Sequence, residues 1–220
     1  MGIFSQLTAA LGEAGIGKGS ALVFEAPGDN LGSGQAQDHQ ELAAILKSLV
    51  GADGVLVVPT CSAAEGRPKP TFDPQTSPSE MGAFSEFFRS GPQVVRSHSA
   101  THSVAAVGAH AEDLVEMHRY AAGRSTPWGE GAFGIGGPWD WLYEHDAWWV
   151  LVDASWADSP SIAFVQALYS ERHASMTKET CFPRFDIAAL VQELERRGII
   201  RQVVWGDHLV QVFETRRMVD

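Results

Sequence analysis

Two short apolar runs, Ser20 to Glu25 (SALVFE) and Gly54 to Pro59 (GVLVVP), stand on either side of an amphipathic stretch, and this arrangement restricts the fold more than any other feature of the chain. Apolar runs without alternation are strands covered on both faces. Between them, Leu42, Ile45, Leu46, Leu49 and Val50 recur at helical spacing, and Asp38 with Glu41 three residues on sets up a capping box. A strand, helix, strand order with so long a crossover makes parallel neighbours. The pattern predicts an α/β fold, a mixed, largely parallel sheet flanked by helices. Such sheets hold ligands in the loops at the carboxyl ends of their strands.

The remaining elements follow from the same periodicities. Phe4, Leu7 and Leu11 mark a helix from Phe4 to Ala14 that stops at Gly15. Ser77-Pro78-Ser79-Glu80 reads as a helix start, with Ser77 as cap, Pro78 at the first helical position and Glu80 reaching back, and the helix ends near Arg89. Gln93 to Ser97 and Ser103 to Val107 are predicted strands, and Ala111 to His118 a helix. The Gly-rich RYAAGRSTPWGEGAFGIGGP segment is expected to be irregular. Trp148 to Val152 reads as a strand, Ser159-Pro160 as a helix start, and Asp186 to Arg197 as a helix ended by Gly198. Ile199 to Val204 and Leu209 to Phe213 close the chain as strands around Gly206-Asp207. No repeat or linker divides the sequence, so residues 1–220 are expected to form a single domain.

Composition removes several classes of function. A formal net charge of -11 argues against nucleic acid as a partner, which needs clustered Lys and Arg, and suits a polycationic substrate. No apolar run reaches the roughly 18 residues of a membrane span, and MGIFSQLTAALGEAG has no basic region ahead of its apolar residues, so no membrane association and a cytoplasmic location are expected. Two cysteines, Cys61 and Cys181, make neither a zinc cluster nor a disulfide framework. His98 and His102 on a strand would lie roughly 13 Å apart, too far for one metal ion. No metal is predicted.

The densest functional signal lies between Thr71 and Gly108. Amides at a helix start, with Thr76, Ser77 and Ser79, offer a place for an anion or a polar cofactor arm. The strings FDPQTSPSEMG at 72–82 and VVRSHSATHSVAAVG at 94–108 resemble the aminoglycoside 3-N-acetyltransferase family, whose members carry an FDP-x-TSPS-x-MG block and an RS-x-HP-T-HS-VAA-x-G block. GVLVVPT at 54–60, PWGEG at 127–131, LYEHD at 142–146 and the tail from Gly198 to Asp220 match in the same order. The resemblance implies that family's fold, with acetyl-CoA as acyl donor and an amine, such as an aminoglycoside-like amino-sugar, as acceptor. It places Thr76, Ser77, Ser79, Arg96, Ser97, Thr101 and Ser103 around the coenzyme cleft.

The chain also departs from the family pattern. Counted without gaps from LYEHD, Ser159 to Ala167 falls on the family's NTSLHLAE-like run, with Ala163 where its histidine base stands and Gln166 where its glutamate stands. About fifteen residues separate Gln166 from Cys181, where relatives carry a longer insertion. Ser99 and Ala100 replace His-Pro, and Phe24-Glu25-Ala26 replaces a His-Ser-Ser-like run. His102 is then the candidate base, since its ordinary pKa suits proton transfer near neutrality; the alternative is a histidine bonded for structure. Cys61 with His102 as a thiol nucleophile is a weaker alternative. Six tryptophans between Trp128 and Trp156 are interleaved with carboxylates, and Trp128, Glu130 and Asp158 are candidates for binding an amino-sugar. The competing reading of these rings is core. Against the transferase stands a catalytically degenerate member that binds coenzyme A or a protein partner. Oligomeric state is not encoded in any of these motifs.

Overall fold

The computed structural model describes residues 3–28, 31, 35–62, 72–179 and 181–220. In chain order the elements are α1 (Ile3–Ala14), β1 (Ala21–Glu25), α2 (Ala36–Val50), β2 (Val55–Pro59), α3 (Ala83–Arg89), β3 (Val95–Arg96), β4 (Val104–Gly108), α4 (Ala111–Met117), α5 (Pro138–Glu144), β5 (Trp148–Val152), a 3-10 turn (Trp156–Asp158), α6 (Pro160–Thr177), α7 (Ile187–Arg196), β6 (Arg201–Trp205), β7 (His208–Glu214) and α8 (Thr215–Val219). The strands form one seven-stranded mixed sheet in the order β3-β4-β2-β1-β5-β7-β6. Most of the loop expected at 61–70, Thr71, and part of the turn-rich segment 26–34 lie outside the described residues.

The sheet is parallel only at its centre. β1 pairs parallel with β2 and with β5, as the two apolar runs and their crossover predict. Outward from there every pairing is antiparallel: β2 with β4, β4 with β3, β5 with β7 and β7 with β6. Short connections return the chain beside itself at both edges, so the expected largely parallel sheet is narrower than the periodicity suggested.

Strand alternation sorts the core into two layers. Leu22, Phe24, Leu56, Val58, Val150 and Val152 pack against Leu7 and Leu11 of α1, Leu42 and Leu46 of α2, and Phe84 and Phe88 of α3. Val23, Val55, Val57, Trp149 and Leu151 face the other way, onto Leu114, Trp139, Leu142, Ile162, Phe164 and Leu194. Strands β1 and β5 are therefore neighbours whose following helices, α2 and α6, cover opposite faces. A crevice at the carboxyl ends of such a pair is where open α/β sheets take their ligands.

Several boundaries shifted for identifiable reasons. The helix expected from Ser77 begins at Ala83, capped by Gly82 with no side-chain bond. Asp73 captures the turn first: its carbonyl accepts from Ser77 N at 2.9 Å, and its Oδ1 accepts from Gln75 N at 2.8 Å. Glu86, not Glu80, reaches back, accepting from Ser79 N at 2.7 Å. Gly82 has φ 97°, and a Cβ there would meet Pro27 O at 2.5 Å, so this glycine lets the 72–82 loop close over the end of β1. β3 is shorter than expected because Gln93 takes φ 63° and Ser97 O closes a turn onto Ser99 N. Helix α2 begins slightly before Asp38, and α5 and α8 lie where no helix was expected. Ser159 and Asp186 are helix caps as predicted, accepting from Ser161 N and Ala189 N.

Candidate active site

A cavity of about 370 Å³ opens at the carboxyl ends of β1, β2 and β5. Its lining includes Cys61, Thr101, His102, Trp128, Asp158, Ser159, Ala163 and Gln166, gathered from distant parts of the chain. A larger cavity of about 990 Å³ lies at the opposite end, beside the start of β2 and the end of β4. The smaller one is the chemical candidate, because it sits at the divergence of β1 and β5 and brings Cys61, His102 and Asp158 together there.

One wall of this cleft is built on Arg96. Its Nε donates to Thr60 Oγ1 at 3.0 Å and to Ser103 Oγ at 3.3 Å. Its two terminal nitrogens bond the carbonyls of Ser77 and Thr60 and the hydroxyl of Ser62. Burial pushes the guanidinium down to about 10, so it remains charged near neutrality. Arg96 thereby joins the hydroxyl-rich 72–82 loop to the β3–β4 hairpin, and these two segments do meet. All three of its nitrogens are engaged at that junction.

Ser97 is equally committed. Its Oγ accepts from Val104 N at 2.9 Å and bonds His118 Nδ1 at 2.8 Å, while His118 Nε2 faces the carbonyls of Gly131 and Ala132. That pattern puts the proton on Nε2, and burial holds His118 down at about 4, so the ring is neutral. His118 ties the hairpin to the Gly-rich segment and was not recognised as part of this region from sequence. Ser103 donates to Thr60 O at 2.9 Å. Ser79 bonds Ser85 Oγ at 2.7 Å, and Ser85 in turn donates to Pro59 O. Thr76 is exposed. The amides of Gln75, Ser77, Ser79, Glu80 and Met81 all have protein acceptors, so the open anion cradle expected of a helix start at Ser77 is not formed.

His102 lies in the cleft wall, packed against Trp128 (4.6 Å) and Phe133 (4.3 Å between ring centres). Its Nδ1 is buried without a protein partner among the described residues. Burial, with the charge of His118 adding to it, pushes the imidazole down to about 3. The Trp139 indole donates to the His102 carbonyl at 3.2 Å and holds the backbone beneath it. Among the acceptor-side candidates, Asp158 and Trp128 line the cleft, whereas Glu130 lines a neighbouring cavity of about 260 Å³, where Trp128 and Thr101 form the partition. Trp139, Trp149 and Trp156 are core.

Cys61 is 9% exposed, and burial, reinforced by the Glu25 carboxyl, pushes its thiol up to about 12. A thiol so weakly acidic is a poor nucleophile near neutrality. Native protein treated with iodoacetamide at pH 7 is expected to take one adduct, at the exposed Cys181. A Cys61 adduct formed as fast as with free cysteine, seen by mass analysis, would show instead that the cleft thiol ionises.

The residue that sequence reasoning left aside is Glu25. It ends β1 with the same parity as Val23, facing the Trp-rich layer, and is 3% exposed. Ser159 Oγ donates to its Oε2 at 2.8 Å, and Trp149 Nε1 donates to the same oxygen at 3.3 Å. Burial dominates and raises its carboxyl to about 7. The available signal was a carboxylate closing an otherwise apolar run, at a position already noted as a departure.

Fold and cleft together define a three-layer α/β protein with its ligand crevice at the point where the strand connections diverge. The sequence model of the aminoglycoside 3-N-acetyltransferases matches residues 30–220. The chain belongs to that family. Among solved structures it is similar to aminoglycoside acetyltransferase AAC(3)-IVa as apoenzyme, at 19% identity and a TM-score of 0.74, covering 98% of this chain and 85% of that one. It is similar to AAC-IIIb in a binary complex with CoASH, at 21% identity and 0.73, covering 98% and 92%. The third is AAC-VIa bound to sisomicin, at 18% and 0.73, covering 98% and 94%. No helix among the described residues is long and apolar enough to cross a membrane.

Proposed function

We propose that the protein is an acetyl-CoA-dependent N-acetyltransferase acting on an amine of the amino-sugar kind, with residues 1–220 working as one domain. The observation that carries this reading is the charge of the cleft: among the described residues Glu80 and Asp158 line it, and no lysine or arginine does. Such a lining favours a ligand that arrives as an ammonium ion. Trp128 adds an aromatic face beside the carboxylates, a pairing suited to a cationic sugar. That relatives are solved with CoASH and with sisomicin supports the same pair of ligands here.

In this reading Arg96, Ser97, Ser79 and Ser103 shape the coenzyme wall from within, and Thr76, Ser77 and Thr101 offer its outer hydroxyls. His102 supplies Nδ1, the one buried cleft atom left for a ligand among the described residues. The imidazole serves as a neutral hydrogen-bonding group, since a base at about 3 takes up an ammonium proton poorly near neutrality. Bringing amine and thioester together contributes much of the rate by proximity alone.

Calorimetry with coenzyme A tests the reading. Heat with saturable binding is expected, followed by thiol release from acetyl-CoA when amino-sugars bearing several ammonium groups are added. No heat with micromolar protein and millimolar coenzyme would remove it. Ala163 and Gln166 at the cleft favour a second reading, a coenzyme-binding protein without turnover. Heat without thiol release for any amine would establish that one.

A further inference from the structure

The transferase reading leaves open where the amine's proton goes. Helix α6 presents Ala163 and Gln166 to the cleft, the Cys61 thiol stays protonated, and His102 binds a proton weakly. One carboxyl group lies directly behind the cleft surface. Glu25 ends β1 where β1 and β5 diverge, and Ser159, which lines the cleft, donates to its Oε2 at 2.8 Å. Ser159 is itself held as the cap of α6, accepting from Ser161 N, with Ser161 Oγ at 2.8 Å. Trp149 Nε1 holds the same carboxylate oxygen from β5.

We propose that Glu25, acting through the hydroxyl of Ser159, accepts the proton released by the attacking amine. The inference rests on the transferase reading. The arriving ammonium first loses one proton to solvent; as the free amine nitrogen then bonds to the thioester carbonyl carbon, it passes a second proton to Ser159 Oγ, and the Ser159 proton moves to Glu25 Oε2. The carbon–sulfur bond then breaks, and the departing thiolate takes a proton back along the same path, leaving amide and free thiol. Glu25 is thus a positioning residue that holds the proton one hydroxyl away from the reacting atoms.

The environment suits that task. Among the described residues the hydrogen-bond donors to Glu25 are Trp149 and Ser159, both uncharged. The titratable groups acting on it or coupled to it are Asp158 from the 3-10 turn and Cys61 after β2, and neither is a cation. Burial in this setting raises the carboxyl to about 7, so it is ionised and ready to accept above that pH and protonated below it. A proton acceptor works best when its pKa lies near the working pH.

Thiol release from acetyl-CoA, followed against pH with a saturating amine, provides the test. Wild-type kcat is expected to rise through a limb near pH 7. Glu25→Gln keeps shape while removing the carboxylate, and is expected to lower kcat by roughly 10²-fold or more with KM little changed and the limb gone. Glu25→Asp should restore part of kcat and a limb, and Ser159→Ala should lose kcat as Glu25→Gln does. An active wild type whose Glu25→Gln variant keeps both kcat and limb overturns the inference and leaves the transferase reading intact. Should Glu25→Gln fail to fold, Ser159→Ala carries the test, and an unchanged kcat and limb in it overturns the inference. A wild type that binds no coenzyme and releases no thiol overturns the transferase reading itself, and this inference with it.

Discussion

Replacing Trp139 with alanine is expected to destabilise the protein by about 3–5 kcal/mol, the range for truncating a fully buried large aromatic. Trp139 is 1% exposed, lies parallel to Trp149 at 5.8 Å and packs on Phe133 at 5.4 Å. Removing it opens a cavity between α5 and the sheet and leaves the His102 carbonyl without its indole donor. For a chain of this length each kcal/mol lowers Tm by about 2–4 °C, so a fall of roughly 6–20 °C follows. Trp139→Phe should lose less, because it refills most of the volume. Thermal unfolding decides the point: a drop of only a degree or two in Trp139→Ala would mean that α5 is not docked as described.

Breaking the Arg124–Asp140 pair is expected to have an effect of the same size. Arg124 is 4% exposed; its Nη1 donates to Asp140 Oδ1 at 2.8 Å and to Phe133 O at 2.6 Å, and its Nε reaches Glu171 at 2.7 Å. Asp140 Oδ2 also accepts from Gly136 N at 2.9 Å, so the pair clamps the Gly-rich segment onto the start of α5. Asp140→Ala leaves the guanidinium buried with one partly exposed carboxylate, and removing one member of a buried pair costs about 3–5 kcal/mol. The cost comes from the uncompensated charge. Accordingly, the double variant Arg124→Met with Asp140→Leu should lose less than Asp140→Ala alone. Equal or greater loss in the double variant would show that packing, not the stranded charge, dominates. The exposed Glu193 with Arg196 and Arg197 is the contrast, and Glu193→Ala should leave Tm nearly where it was.

The cleft owes its walls to long-range bonds that no local pattern announces. Ser77-Pro78-Ser79-Glu80 has the residues of a helix start, yet Asp73 takes the amides of Gln75 and Ser77, and Gly82 seats against Pro27. Propensity lost there to a competing side-chain turn and a close backbone approach. Arg96, Ser97, Thr101, His102 and Ser103 were legible as one block and do surround one region. Which of them face the cleft was not legible: Arg96 and Ser97 turn inward to Thr60 and His118, while Thr101 and His102 line the cavity. Likewise the carboxylates Glu130 and Asp158, equivalent by composition, fall in separate cavities divided by Trp128.

From the order of residues alone came the central β1–α2–β2 unit, the positions of the caps at Ser159 and Asp186, and the blocks that mark the family. These rest on periodicity, backbone capping and extended matches, which act over a few residues or are carried by identity itself. Three-dimensional packing decided the antiparallel edges of the sheet, the inward turn of Arg96 and the placing of Glu25 behind Ser159. The reason is that burial and hydrogen-bond partnership arise between segments far apart in the chain, Glu25 with Ser159 and Arg96 with Thr60, and no window of sequence contains both members.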